Sequence, residues 1–334
     1  MMLKNRRVVI FVIGMICCSA VIIGYMFFFK TEKFPTESDV YFAVENKTGK
    51  EVYIWDGTSR KVYRQRGYSF VGCYGDAYTD GSNLYYLKYD VKGDIKGLYS
   101  ATVNDGVGSE KLVTAKLVEM YRTGTDFVAY TVSDIDKNKL YMVKNDEERS
   151  IKISDTCGDS FAINESNICY YDLNECRIKI KNVDTGSMYE VDYANEPEHI
   201  SAIGESGFAV VSPEGVFSII DSSIEEIKVV KYSEPDRLEE DSQMYCKNGE
   251  LYYLTENGKI RRKSVKTGHQ ETVVDLNNIN QAKGYIDSGY IENNIFYENN
   301  IIISMTALNE RGVVKDTLLM SFDYQGNLIE QIIL

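Results

Sequence analysis

Residues 249–268 read GELYYLTENGKIRRKSVKTG. An aromatic and aliphatic run, Leu-Tyr-Tyr-Leu, is followed by Asn257-Gly258, a second run from Lys259, then Thr267-Gly268 and a third run at 271–275. Asn-Gly permits positive φ at both central positions of a two-residue turn and is a strong hairpin signal. The window therefore predicts three antiparallel strands in quick succession.

The same pattern returns along the chain. Runs begin near Val40 (VYFAV), Leu84 (LYYLKY), Phe127 (FVAYTV), Ile168 (ICYYDL), Phe208 (FAVVS), Leu251 (LYYLTE) and Ile301 (IIISM), at intervals of 44, 43, 41, 40, 43 and 50 residues. A further short run precedes most of them, at 70–72, 118–121, 161–163 and 200–202, and supplies a fourth strand. Four strands in about 40–45 residues is the pattern of a β-propeller blade. The expected fold is all-β, a propeller of seven four-stranded blades over residues 40–334, with six as the alternative count. Long amphipathic helical periodicity is missing, and 236–243 is the one short helix expected. The 50-residue interval should hold an extended loop or longer strands around 285–297. The β-prone tail, 328–334, should complete the ring, as outer strand of the last blade or within the first.

Strand chemistry explains the runs. A four-stranded unit stacked in a ring is covered by a neighbour on each side, so both faces need apolar residues and simple alternation is lost. Tyr, present in 26 copies against one Trp (Trp55), suits such sites because its ring packs while its hydroxyl finds a partner.

The stretch 249–268 resembles the blade repeat of bacterial extracytoplasmic propellers that are distantly similar to the YWTD blades of lipoprotein receptors. The resemblance is one of pattern and spans most of residues 40–334. It implies a rigid, usually non-catalytic scaffold.

The N-terminus sets the expected address. Residues 8–29, VVIFVIGMICCSAVIIGYMFFF, hold no charged side chain across 22 positions. As a helix this run reaches about 33 Å, enough for a hydrocarbon core of about 30 Å. Lys4, Arg6 and Arg7 precede it without an acid, while Glu32, Glu37 and Asp39 follow closely, so the positive-inside rule keeps 1–7 cytoplasmic. A cleaved signal peptide would be shorter and end at a small-x-small site, whereas this run ends in three Phe. Cys17 and Cys18 raise a lipoprotein reading, but Ile16 stands where a small residue is usual. The expectation is a cytoplasmic tail (1–7), a retained transmembrane helix (8–29), a linker (30–39) and an extracellular body, in a single-pass protein of a bacterial cell membrane.

Removing Lys4, Arg6, Arg7 and Lys30 leaves 33 basic residues against 50 acidic ones, or −17. That charge repels phosphate backbones and speaks against nucleic acid as partner. Cys73, Cys157, Cys169, Cys176 and Cys246 cannot all pair within one chain. Cys169 and Cys176 are the pair best placed to face each other across a hairpin; the rest read as small buried hydrophobes.

No catalytic apparatus is legible. His199 and His269 lie seventy residues apart in different modules, each near a turn or strand edge. No G-x-S-x-G elbow or phosphate-cradling loop occurs. The run 134–138, DIDKN, spaces three oxygen ligands as a calcium loop does, but Lys139 stands where the glycine is required, so it reads as a hairpin turn. Asn46 and Asn164 open sequons of chance frequency. No catalytic, cofactor-binding or metal-binding residue is assigned and no cofactor is implied. The expected function is a membrane-tethered binding scaffold for an envelope protein, peptide or glycan. The alternative is a propeller lyase or hydrolase using axial carboxylates, which would show as carboxyl groups with raised pKa at the blade mouths.

Overall fold

A computed structural model describes residues 39–334, except 47–48, 57–60, 72–77, 80–82, 90–94, 103–108, 135–136, 146, 148, 204–206, 215–216, 222–225, 231–242 and 298. For the strands between 39 and 79 and from 226 to 230, the description is of backbone alone. The expected transmembrane segment, 8–29, and most of the helix expected at 236–243 lie outside these residues. Among the described residues no helix is long and apolar enough to cross a membrane.

The described chain is antiparallel β-sheet throughout. The first sheet holds β1 (Asp39–Asn46), β2 (Gly49–Asp56) and β3 (Lys61–Val71). The second holds β4 (Tyr78–Thr79), β5 (Asn83–Tyr89), β6 (Ile95–Thr102) and β7 (Lys111–Thr114). A seven-stranded sheet follows: β8 (Val118–Thr123), β9 (Phe127–Asp134), β10 (Lys137–Lys144), β11 (Ile151–Asn164), β12 (Asn167–Asp172), β13 (Arg177–Asn182) and β14 (Met188–Asp192). Then come three sheets of four. They are β15 (His199–Ala202) to β18 (Glu226–Val230), through β16 (Gly207–Val211) and β17 (Phe217–Asp221); β19 (Met244–Lys247) to β22 (Gln270–Asp275), through β20 (Glu250–Leu254) and β21 (Lys259–Ser264); and β23 (Gly289–Tyr297) to β26 (Leu328–Ile333), through β24 (Asn300–Leu308) and β25 (Val314–Phe322).

Within each sheet the strands keep sequence order. The seven-stranded sheet is two such units sharing β11. Its first half pairs with β10, its second with β12, and the register breaks between Cys157 and Phe161. The leading strands stand side by side: β1 by β4, β4 by β8, β8 by β11, β11 by β15, β15 by β19, β19 by β23, and β23 by β1.

Packing between sheets accounts for the unalternating runs. On β9, Phe127 and Ala129 join one buried cluster while Val128 and Tyr130 join another. On β12, Ile168 and Tyr170 face one neighbour while Cys169 and Tyr171 face the next. On β20, Leu251 and Tyr253 pack toward β16 and β17, and Tyr252 and Leu254 toward β24 and β25. Each of these strands is buried on both faces, as the Leu-Tyr-Tyr-Leu run requires. A buried Leu, Val or Phe contributes roughly 1.5–3 kcal/mol, so a doubly covered strand is a large part of the stability.

A leading strand has one edge without a ladder partner, and groups of a neighbouring sheet meet N–H groups there. Ser160 Oγ on β11 accepts from Ile200 N–H on β15 at 2.9 Å, and Ser201 Oγ on β15 accepts from Met244 N–H on β19 at 3.0 Å. Asn294 Oδ1 on β23 accepts from Gln243 N–H at 2.8 Å. Ile203 C=O accepts from Cys246 N–H at 3.1 Å. These bonds tie β11 to β15, β15 to β19, and β19 to β23.

Several expectations need correction. Phe70 and Val71, from the run expected to open the second sheet, end β3 instead, and the first sheet has three described strands. The interval before Ile301 does hold a longer strand, β23, but also a helix, α1 (Asn280–Ser288), after a 3-10 turn at Leu276–Asn278. Its apolar stripe is only Ala282, Tyr285 and Ile286, Gly284 sits in its middle, and no side chain caps its start, so it carries little sequence signal. The Asn257-Gly258 turn is a four-residue turn, with Gly258 N–H donating to Thr255 C=O and only Gly258 at positive φ, 73°. Asn248-Gly249 is the two-residue turn in which both residues take positive φ, 54° and 76°. The tail forms β26, outermost in the last sheet, and β1 lies against β23 and β25 independently of it.

Replacing Ser201 by Ala should leave the buried Met244 N–H without its acceptor and destabilise the fold by about 1–3 kcal/mol. Thermal or urea unfolding of the variant checks this, and an unchanged midpoint would remove the bond from the account of the ring.

Candidate binding face

Strand order divides the loops into two sets. Turns joining first to second and third to fourth strands fall at one end of each four-stranded unit. Turns joining second to third strands, and the connections between units, fall at the other.

At the first end two turns repeat in detail. In Asn182-Val183-Asp184-Thr185-Gly186, Gly186 N–H donates to Asn182 C=O at 2.9 Å, and Val183 N–H donates to Ser166 C=O at 2.9 Å. In Ser264-Val265-Lys266-Thr267-Gly268, Gly268 N–H donates to Ser264 C=O at 2.8 Å, and Val265 N–H donates to Gly249 C=O at 2.9 Å. The glycines sit at φ 73° and 72°, a region L side chains avoid. In each case the third-to-fourth turn is tied to the neighbouring first-to-second turn. Ser166, Thr185, Ser187 and Asn248 give this end hydroxyls and an amide, set among exposed charges at Asp126, Glu147, Arg149, Glu165, Asp184 and Lys266.

The opposite end is charged. Around β12 and β13, Lys179 is buried among acids, with Nζ 2.7 Å from Glu175 Oε1, 3.1 Å from Asp172 Oδ2 and 3.8 Å from Glu190 Oε1. Asp172 also accepts from Thr156 Oγ1 at 2.9 Å and from the N–H groups of Asn174 and Glu175, so it caps the turn into β13. Burial pushes the Asp172 carboxyl up, but bonds from Lys179, Thr156 and the Glu175 N–H outweigh it and hold the group below its usual range. Desolvation pulls Lys179 down, and Glu175 and Asp172 more than reverse it. Nearby, Asn138 Nδ2 donates to Asp159 Oδ1 at 3.1 Å, and Asp159 N–H donates to Glu196 Oε1 at 2.8 Å. Those bonds fasten the connection between β14 and β15 to β10 and β11.

The sequence-predicted positions scatter. His199 opens β15 at the charged end, and His269 lies exposed in the turn between β21 and β22 at the other. At 134–138, Asp134 is paired with Lys139, which lowers its carboxyl pKa through a hydrogen bond and charge, and Asn138 binds Asp159. Asp134 and Lys137 pair across β9 and β10, and 135–136 lie outside the described residues. Among the described residues no group of three or more His, Cys, Asp or Glu could hold a metal. Asn164 is buried with Nδ2 donating to Gly207 C=O at 3.1 Å, so that sequon amide is engaged. Cys169 and Cys176 do not pair. Cys169 is buried in β12 opposite Ile180, whereas Cys176 is exposed in the turn at φ 51°. Sequence reading missed Ser160, Ser201 and Asn294, which carry no motif. The Lys179 cluster was readable in principle: Arg-Ile-Lys on β13 faces Glu-Val-Asp on β14 in cross-strand register.

No family model matches the sequence, and no curated protein does. Solved structures match the fold. Hsv2 of Kluyveromyces lactis aligns at TM-score 0.55 and 11% identity, over 87% of this chain and 95% of that one. Apo AztD from Citrobacter koseri aligns at 0.52 and 10%, over 87% and 93%. The computationally designed Ika8 protein aligns at 0.50 and 11%, over 90% and 85%. The chain is therefore an all-β protein of propeller-like fold. Likeness at this identity shows the fold alone.

Two predictions follow from the charged end. Lys179→Ala should destabilise by about 3–5 kcal/mol, because it leaves the Asp172 carboxylate buried without its counter-charge. For Asp172 the folded pKa is lowered, so its stabilisation is present above the unfolded carboxylate value, about 3.9, and is lost as pH falls through the folded one. The stability gap between wild type and Asp172→Asn, measured by urea unfolding, should be full at pH 7 and shrink as pH falls below the unfolded carboxylate value of about 3.9. Thiol alkylation of the folded protein should label Cys176, while Cys157 and Cys169, whose thiols burial pushes well up, should react only after unfolding. Peptide mass spectrometry reads the sites.

Proposed function

We propose that this chain is a membrane-tethered extracytoplasmic β-propeller that acts as a non-catalytic binding scaffold for an envelope protein, peptide or glycan. Counting the seven-stranded sheet as two blades joined at β11 gives seven blades, and the run of neighbouring leading strands from β1 round to β23 supports that count. The tether rests on the uncharged run 8–29 and its basic N-terminal flank.

One observation favours the scaffold over a propeller hydrolase or lyase. Among the described residues, the carboxyl groups displaced from their ordinary pKa, Asp134, Asp172 and Asp323, are all pulled below it. Burial raises Asp323, but the Asn327 side chain and the N–H groups of Asn327, Gln325 and Gly326 outweigh it. A general acid needs the opposite shift. Asp172 and Asp323 each accept N–H bonds from the turn that follows, so each end carries a turn fastened by a carboxylate.

A photoreactive residue placed at Thr185, on the hydroxyl-rich end, or at Glu196, on the charged end, should give one discrete adduct with an envelope component in intact cells. No adduct from either end would overturn the binding role. Protease added to spheroplasts should degrade the body of a protein that retains Met1. A soluble body lacking 1–29 would overturn the tether.

A further inference from the structure

Each sheet is built from one continuous stretch of chain, and the chain runs on from each sheet into the next. The last and first sheets are the exception. They share no strand and no connection joins them, so β1 is held against β23 and β25 by contact alone. The last sheet brings a distinctive face to that contact. On β24 and β25, Ile301, Ile303, Met305, Leu318, Met320 and Phe322 pack toward Tyr252 and Leu254 of the preceding sheet. Strand alternation turns Ile302, Ser304, Thr306, Thr317, Leu319 and Ser321 the other way, toward the first sheet.

The hydroxyl side chains of that face are buried: Ser304, Thr306, Thr317 and Ser321 are each 2% exposed or less. Thr306 Oγ1 donates to Glu292 Oε2 at 3.0 Å and lies 3.0 Å from Thr317 Oγ1. Ser321 Oγ has no hydrogen-bond partner among the described residues. On the described middle strands of the other sheets, buried polar side chains stand singly, as Thr131, Ser218 and Lys263 do, or as the Asp172–Lys179 pair.

We propose that the ring opens and recloses at this seam, the first sheet parting from the last while the other boundaries hold. Parted apolar faces are opposed by water, whereas Ser304, Thr306 and Thr317 can form hydrogen bonds with it, and Ser321 gains a partner that the closed ring denies it. At every other boundary a chain connection or the shared β11 keeps the two sheets within reach and favours reclosure. The seam lacks both a connection and, on the last sheet, a wholly apolar face. Local opening therefore falls here before it falls elsewhere.

Labelling of the full chain with N-ethylmaleimide in native buffer tests this, with peptide mass spectrometry reading each site. Ser304→Cys is a near-isosteric probe on the seam, and Ser321→Cys serves if the first variant does not fold. The references are native Cys169, buried between β12 and β16, and Ser218→Cys on β17, beside Tyr193. The seam cysteine should label roughly ten-fold faster than either reference or more, since opening exposes it without unfolding the other sheets. Adding Ser321→Ala to Ser304→Cys should slow that labelling several-fold, because the closed ring then no longer buries an unpartnered hydroxyl. Seam rates equal to the references, or labelling at 304 that Ser321→Ala leaves unchanged or quickens, would overturn the opening.

Discussion

A four-stranded sheet with apolar side chains on both faces has no stable existence by itself. Everything else in this fold answers that constraint. Phe127 and Val128 are adjacent in one strand yet belong to different buried clusters, and so do Tyr252 and Tyr253. Each sheet is wet unless two neighbours cover it, and those neighbours need covering in turn. The demand ends only when the last sheet meets the first, which is where β1 lies against β23 and β25.

Face-to-face packing leaves a polar problem at the leading strands. Their open edges point N–H groups at a place where no further strand fits, and a buried donor without an acceptor costs about 1–3 kcal/mol. Ser160, Ser201 and Asn294 meet that need from a neighbouring sheet, while Cys246 N–H reaches the Ile203 carbonyl. Each such bond needs the two sheets in one relative position. Apolar contact is tolerant of small slips, whereas a 2.9 Å bond to a side-chain oxygen is not. The hydroxyls thus convert a stack of sheets into an arrangement with a single registration.

What the sequence revealed follows from the range of each interaction. Unalternating runs such as Leu-Tyr-Tyr-Leu report burial on both faces, and turn residues such as Gly186 and Gly268 report local backbone need, so strands and repeats were legible. Ser201 looks like any serine in a strand; only the neighbouring sheet gives it a task. Cys169 and Cys176 looked well placed because a hairpin brings its ends together. In fact one thiol points into the core and the other stands on the turn. Helix α1 hid because its contribution is three apolar side chains closing a gap in the core of the last two units. The charged and hydroxyl-rich ends were not legible either, since sorting loops to two ends requires the strand order.

The division between those ends bears on which positions the fold constrains. Sheet residues are constrained from both faces, and the leading strands from their edges as well. Turn residues beyond the backbone bonds that hold Val183 or Val265 are constrained by neither. Asp184 and Lys266 occupy the same place in equivalent turns with opposite charge, and the two turns keep the same hydrogen bonds. The turn geometry resides in Gly186 and Gly268 and in the Val N–H bonds, while Asp184 adds a bond from Ser166 Oγ and a pairing with Lys144. Turns of the same backbone geometry thus carry different side-chain bonds without disturbing the core that fixes their positions.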